Sequence, residues 1–180
     1  MFLSVEAGAA IGGYGPMDKH TRSFYPTPYS IINVLLNRLD WPNEAVWEPC
    51  AGDGRLAGAM RHRGAEVITH DIETGHDFFE FRKALAPILI TNPPFKLIRK
   101  FIDHAFAIGV ERMALVCNER LWACGKGHEQ WCRHRPSRFA NLTWREDYLN
   151  KKGSPDRSLA ISIWDEPHAE TCRFEVWNRA

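Results

Sequence analysis

Between residues 45 and 117, short apolar runs alternate with stretches whose apolar residues recur at helical spacing, and few folds accommodate that alternation. Ala45–Glu48, Glu66–Asp71, Pro87–Thr91 and Met113–Cys117 read as strands too short and too apolar for surface helices. Leu56–Arg61, ending near Gly64, reads as a helix, as does the stretch in which Leu97, Ile98, Phe101, Ile102, Ala105 and Phe106 repeat; a short helical piece is expected around Phe78–Leu85. Parallel strands need crossovers of this kind, so the chain is expected to be α/β, with a mostly parallel seven-stranded sheet and helices on both faces.

Flanking segments extend this plan. After Pro26-Thr27-Pro28, the residues Ile31, Ile32, Leu35, Leu36 and Leu39 share one helical face, and Trp41-Pro42-Asn43 ends that helix. Phe139–Trp144 and Leu159–Trp164 are expected to be the last sheet strands, with Cys172–Trp177 as an edge strand. Residues 119–135 look helical, but Gly125 and Gly127 predict an interrupted helix or a loop.

A chain of 180 residues, 44% of them hydrophobic, suffices for one domain with its own core. Residues 1–23, rich in glycine and without apolar periodicity, are expected to be a flexible lead-in, and residues 24–180 a single domain without a separate target-recognition domain. No apolar run reaches membrane-spanning length and no signal peptide is evident, so a cytoplasmic protein is expected. The 5 cysteines show no paired CxxC spacing; Cys124, His128, Cys132 and His134 lie close together, but no metal is assigned. The net charge of +1 is unevenly spread: residues 96–157 hold 13 Lys/Arg against 7 Asp/Glu, a local excess of 6. Within and beside that segment, Lys96, Arg133, Arg135, Arg138, Arg145, Lys151, Lys152 and Arg157 are candidate phosphate contacts.

Two motifs stand at the carboxyl ends of expected strands, where parallel sheets bind ligands. In Glu48-Pro49-Cys50-Ala51-Gly52-Asp53-Gly54, the glycines allow a sharp turn and a close backbone approach before a helix N-terminus. Asp71, ending the second strand, can accept hydrogen bonds from ribose hydroxyls, or cap a turn; Asp77-Phe78 can bond an amino group and stack on a base, or serve as cap and core. Asn92-Pro93-Pro94-Phe95 is the sharper signal. Its two prolines stop the strand and fix the backbone as a rigid platform. An exocyclic amino nitrogen is a poor nucleophile because its lone pair is delocalised. Hydrogen bonds from its two N–H groups to the Asn92 side-chain oxygen and the Pro93 carbonyl would localise and aim that pair, with Phe95 stacked on the base.

Taken in order, Phe24-Tyr25-Pro26-Thr27-Pro28, Glu48 to Gly54, Asp71, Asp77-Phe78 and Asn92 to Phe95 resemble the motifs of amino-methylating DNA methyltransferases, especially small phage- or prophage-type adenine enzymes. The resemblance covers residues 24–118 well and the final third loosely. It implies a Rossmann-like class I fold, S-adenosylmethionine as cofactor and DNA as partner, with RNA as an alternative. It implies further that Tyr25 and Thr27 approach the carboxylate end of the donor. Glu48, Ala51, Gly52 and Gly54 would line the methionine half, Asp71 the ribose, and Asp77 with Phe78 the adenine. Asn92, Pro93, Pro94 and Phe95 are left for the target base.

Cys50 follows a proline, as the nucleophile of cytosine-C5 methylation does, but it precedes the glycines of the donor loop and reads as a small buried residue. Other readings keep the fold and change the acceptor to an RNA base or a glutamine amide, or drop catalysis in favour of an accessory nucleic-acid-binding subunit. An accessory partner or a homo-oligomer fits the missing recognition domain.

Overall fold

The structure is a computed structural model that describes residues 26–41, 44–146, 157–166 and 168–179. The lead-in, Tyr25, Lys151 and Lys152 lie outside the described residues. Element order is α1 (Tyr29–Arg38), β1 (Val46–Glu48), α2 (Arg55–His62), β2 (Val67–Thr69), β3 (Ile88–Thr91), α3 (Ile98–Ala107), β4 (Arg112–Asn118), α4 (Gly125–Arg133), β5 (Arg138–Glu146), β6 (Arg157–Trp164) and β7 (Arg173–Trp177). Short 3-10 turns at Ile72–Thr74 and Phe78–Glu80 lie between β2 and β3.

The strands form a seven-stranded sheet in the order β2-β1-β3-β4-β6-β5-β7. β1 pairs in parallel with β2 and β3, β3 with β4, and β5 with β7, whereas β6 runs antiparallel to both β4 and β5. β6 alone is therefore reversed. Along the strands, alternate residues enter different cores, as the two-residue period of an extended chain requires. Val46, Ile88, Ile90, Val116 and Ile161 face the core that holds Ile31, Ile32 and Leu35 of α1 and Leu56 and Met60 of α2. Trp47, Leu89, Met113, Leu115 and Ala160 face the core that holds Phe101 and Ile102 of α3. Helices thus cover both faces, as expected.

The expected edge strand is β7, which pairs only with β5. Of the interrupted helix or loop expected over 119–135, residues 119–124 form turns and bends and a helix follows, with Gly125 and Gly127 in the first turn of α4. A Cβ at Gly127 would stand 2.7 Å from the Leu121 carbonyl oxygen and 2.9 Å from that of Trp122, so the glycine is required by a close approach of backbones and not by a break. Among the described residues no helix is long and apolar enough to cross a membrane.

β1 is the strand on either side of which the connections diverge: the chain leaves it through α2 to β2, then returns to β3 on its other flank. The connections that leave the carboxyl ends of β1 and β3 consequently run in opposite directions, opening a crevice above the two strands.

Candidate functional site

That crevice is a cleft of about 160 Å³, roughly tenfold the ~10–15 Å³ that one water needs. Its wall includes Thr27, Glu48, Cys50, Ala51, Gly52, Asp71, Asp77, Phe78, Asn92 and Pro94. Residues separated by up to 75 positions in sequence, from Pro26 to Phe101, therefore meet at one place.

The glycine turn is built by backbone constraint. Gly52 and Gly54 adopt φ of 53° and 76°, a left-handed region that side chains oppose, and Gly54 directly precedes α2. Ala51 N–H donates to the His70 carbonyl at 3.0 Å and Gly54 N–H to the Ala51 carbonyl at 2.8 Å, tying the turn to the end of β2. Asp71 completes the tie: its Oδ2 accepts from Gly52 N–H at 2.8 Å and its Oδ1 from Glu73 N–H at 2.9 Å. Asp71 is thus a cap for the following turn and a cleft wall at once, since each carboxylate oxygen retains further acceptor capacity.

Glu48, the last residue of β1, is 2% exposed and its Oε2 is buried with no hydrogen-bond partner among the described residues. Burial pushes its carboxyl up to about 8, against the Ala57 backbone N–H and the Arg61 charge, which pull the other way. Burial also raises the Cys50 thiol, with the Asp71 charge adding to it, so this cysteine is a poor nucleophile despite its place on the wall.

Asp77 Oδ1 accepts from Phe79 N–H at 2.9 Å, fixing the turn that brings both phenylalanines to the cleft. Phe78, expected at the adenine, lines the cleft and is at the same time held in the core. Its ring is 4% exposed and stacked on Phe101 with centroids 3.9 Å apart, and Trp47 lies 5.4 Å away on a tilted plane. Phe78 is chiefly a core residue; Phe79, half-buried on the same wall, has the more accessible ring.

Of the platform, Asn92 and Pro94 line the cleft, while Pro93 is buried and Phe95 packs against the core under α1 and α2. Gly54, Pro93 and Phe95 are adjacent to the wall in sequence without forming part of it. Sequence reasoning missed Ile72, Leu97, Asp53 and Arg55, which do. Ile72 carried a signal: it is an aliphatic residue beside a strand-end acid, and it is 60% exposed on the rim.

The basic candidates divide by position. β5 begins where β6 ends, with Arg138 opposite Ile163, and β4 begins there too, with Met113 opposite Trp164. This is the end of the sheet remote from the cleft. Arg138 is also committed: its Nε and Nη2 donate to Glu175 at 2.7 and 3.2 Å, its Nη1 donates to Asp165 at 3.1 Å, and its side chain is only 11% exposed. Arg135 donates to the Glu170 carbonyl. Both are engaged within the fold, Arg138 more fully than the half-buried Arg135. Arg145 lies near the opposite, cleft-side end of β5 and is exposed, as is Lys96 beside the platform. Arg133 pairs with Asp103 at 3.4 Å.

The bonds from Arg138 hold the Glu175 carboxyl down to about 2, with the Trp177 N–H assisting. Arg138→Ala is expected to destabilise the fold by about 2–4 kcal/mol in chemical denaturation, because it leaves Glu175 and Asp165 without their shared partner. Nucleic-acid affinity of the folded variant should be unchanged; a selective loss of affinity with normal stability would restore Arg138 as a contact residue.

Cys132 Sγ and His128 Nε2 approach to 3.8 Å, and among the described residues no group of three or more His, Cys, Asp or Glu is arranged to hold a metal ion.

No family model and no curated protein sequence matches the chain. Solved structures do. The methyltransferase subunit of a type I restriction-modification system from Streptococcus thermophilus superposes with a TM-score of 0.57 at 12% identity, over 84% of this chain and 47% of that one. A protein assigned to the class I S-adenosylmethionine-dependent methyltransferases from Listeria monocytogenes gives 0.56 at 9% identity, over 85% and 65%. The 23S rRNA methyltransferase ErmE gives 0.53 at 13%, over 82% and 72%. The chain spans about half the length of the first of these. At such identities the likeness concerns architecture, and the architecture is the Rossmann-like fold of S-adenosylmethionine-dependent methyltransferases.

Proposed function

We propose that the chain transfers a methyl group from S-adenosylmethionine to an exocyclic amino nitrogen, N6 of adenine in DNA. The observation that carries this reading is the meeting of Glu48, Gly52, Asp71, Asp77 and Asn92 on one cleft at the carboxyl ends of β1 and β3. A fold alone would not suffice, since Rossmann-like sheets serve many reactions.

The residues present suit such a donor. Glu48 supplies a buried carboxyl oxygen still lacking a partner, suited to a ligand ammonium; Asp71 can accept from ribose hydroxyls; Ile72 and Phe79 offer apolar surface for a purine. The bound donor supplies an electrophilic methyl group on a sulfonium. The Asn92 side-chain oxygen on the wall would accept from the acceptor amino group, concentrating its lone pair on nitrogen and directing it at that carbon. The N–C bond forms as the C–S bond breaks, and the surplus proton leaves to water. Cys50 has no part in this, because transfer to nitrogen requires no covalent intermediate.

DNA is favoured as acceptor by the motif order, and a nucleic acid over a protein by the basic residues Lys96 and Arg145 at the cleft end of the sheet. One of the similar structures is the methyltransferase subunit of a type I restriction-modification system and another is a 23S rRNA methyltransferase, so the assay must include both DNA and RNA. Purified protein incubated with labelled donor and duplex DNA, single-stranded DNA or RNA should yield N6-methyladenine in DNA after digestion. Label in RNA alone would move the acceptor to an RNA base. Label in protein would move it to an amide, and donor binding without product on any polymer would favour an accessory subunit.

A further inference from the structure

The charges on the cleft wall are unequal in sign. Asp53, Asp71, Glu73 and Asp77 contribute carboxylates, beside the carboxyl of Glu48, and Arg55 is the only cation among the described lining residues. Such a wall repels phosphate. It admits a ligand that is cationic overall and brings at most one anionic group, provided that group reaches Arg55.

Arg55 is built to receive one. It is the first residue of α2, immediately after the left-handed Gly54, so its side chain starts from the glycine turn. Asp53 holds it from one side: Oδ1 accepts from the Arg55 backbone N–H at 3.2 Å, and Oδ2 pairs with Nη2 at 2.5 Å. The guanidinium carbon lies over the Tyr29 ring, 5.3 Å from its centroid. Nε, in contrast, is buried with no hydrogen-bond partner among the described residues. A planar, oriented guanidinium with an unused buried N–H, on the wall of a ligand cleft, matches the geometry of a carboxylate acceptor.

We propose that Arg55 binds the α-carboxylate of the donor's amino-acid end, opposite the Glu48 carboxyl that takes its ammonium. The cleft then recognises a zwitterionic amino acid by one cation and one acid, which a nucleotide cannot satisfy. The assignment rests on the donor reading above and gives that reading a chemical criterion of its own.

The test compares binding of S-adenosylmethionine with its decarboxylated analogue, which keeps the ammonium and sulfonium but lacks the carboxylate, by calorimetry on the unaltered protein, Arg55→Gln and Arg55→Lys. The unaltered protein should prefer the complete donor by about tenfold or more, the range of a charge-assisted pair. Arg55→Gln should lose that preference by weakening the complete donor only, and Arg55→Lys should recover part of it. Equal weakening of both ligands by Arg55→Gln, or none of either, overturns the proposal while leaving the donor assignment standing. Failure of the unaltered protein to bind either ligand overturns both.

Discussion

Asn92→Ala is expected to lower methyl transfer by about 10²–10³-fold with little change in donor affinity. The side-chain oxygen is assigned a role that matters only as the acceptor nitrogen becomes a nucleophile, so its loss should appear in kcat and not in donor binding. The size follows from removing one preorganised hydrogen-bonding partner of a developing charge in a site shielded from water. Asn92 lies on the cleft wall directly after β3, on a backbone stiffened by Pro93 and Pro94, so the substitution removes the amide without freeing the chain. Single-turnover transfer to adenine-containing DNA, with donor affinity measured on the same preparation, separates the two quantities. A variant that transfers methyl groups at the original rate would eliminate the platform mechanism, whatever its acceptor.

Glu48 leads to a second large effect, this time on stability. Its carboxyl sits at about 8 in the folded chain against an ordinary 4.5. Between these values the unfolded chain has released the proton that the folded chain retains, so folding becomes less favourable as pH rises. The stabilising contribution is complete below about 4.5 and disappears as pH passes through 8. Across that window the loss is on the order of 4 kcal/mol. Glu48→Gln keeps the shape and removes the titration. The variant should therefore be about as stable as the unaltered protein at pH 5 and more stable at pH 8.5, in urea denaturation without ligand. A ligand ammonium reverses the sign for binding: donor affinity of the unaltered protein should rise between pH 6 and 8.5, and Glu48→Gln should abolish that rise. Parallel stability curves for the two proteins would show that another group governs the pH dependence.

Much of this architecture could be read from residues alone because the determining patterns are local. Ile88–Thr91 is apolar on both faces and bounded by Pro87 and Asn92, so its identity as a central strand needed no partner to be known. The same holds for the Glu48–Gly54 turn and for the meeting of both motifs at strand ends. What escaped depended on contacts distant in sequence. Arg138 looked like any basic surface residue because Glu175, its principal partner, is 37 residues away and comes alongside only through the β5–β7 register. The helical α4 was obscured because Gly127 answers to the carbonyl oxygens of Leu121 and Trp122, a reason invisible in a propensity scale. Phe78 and Phe79 could not be told apart by type; the 3-10 turn capped by Asp77 decides which ring enters the core. Arg55 carries no signal in the sequence, since its place on the cleft follows from the direction in which Gly54 launches α2.

The reversal of β6 has a consequence for how such a scaffold diversifies. Because β6 runs against β4 and β5, both Glu146, where β5 stops, and Arg157, where β6 starts, stand at the end of the sheet occupied by the cleft. Glu146 is near enough to α1 to accept from Ser30, three residues after the cleft-lining Thr27. The strand ends that flank residues 147–156 thus both stand on the cleft side of the sheet. The Arg138–Glu175–Asp165 cluster fastens the same strands at their other end. Both strand ends that bound residues 147–156 are therefore on the cleft side, while the ion-paired cluster sits at the far end of the same strands, so a change of length at that junction bears on what reaches the cleft before it bears on the cluster.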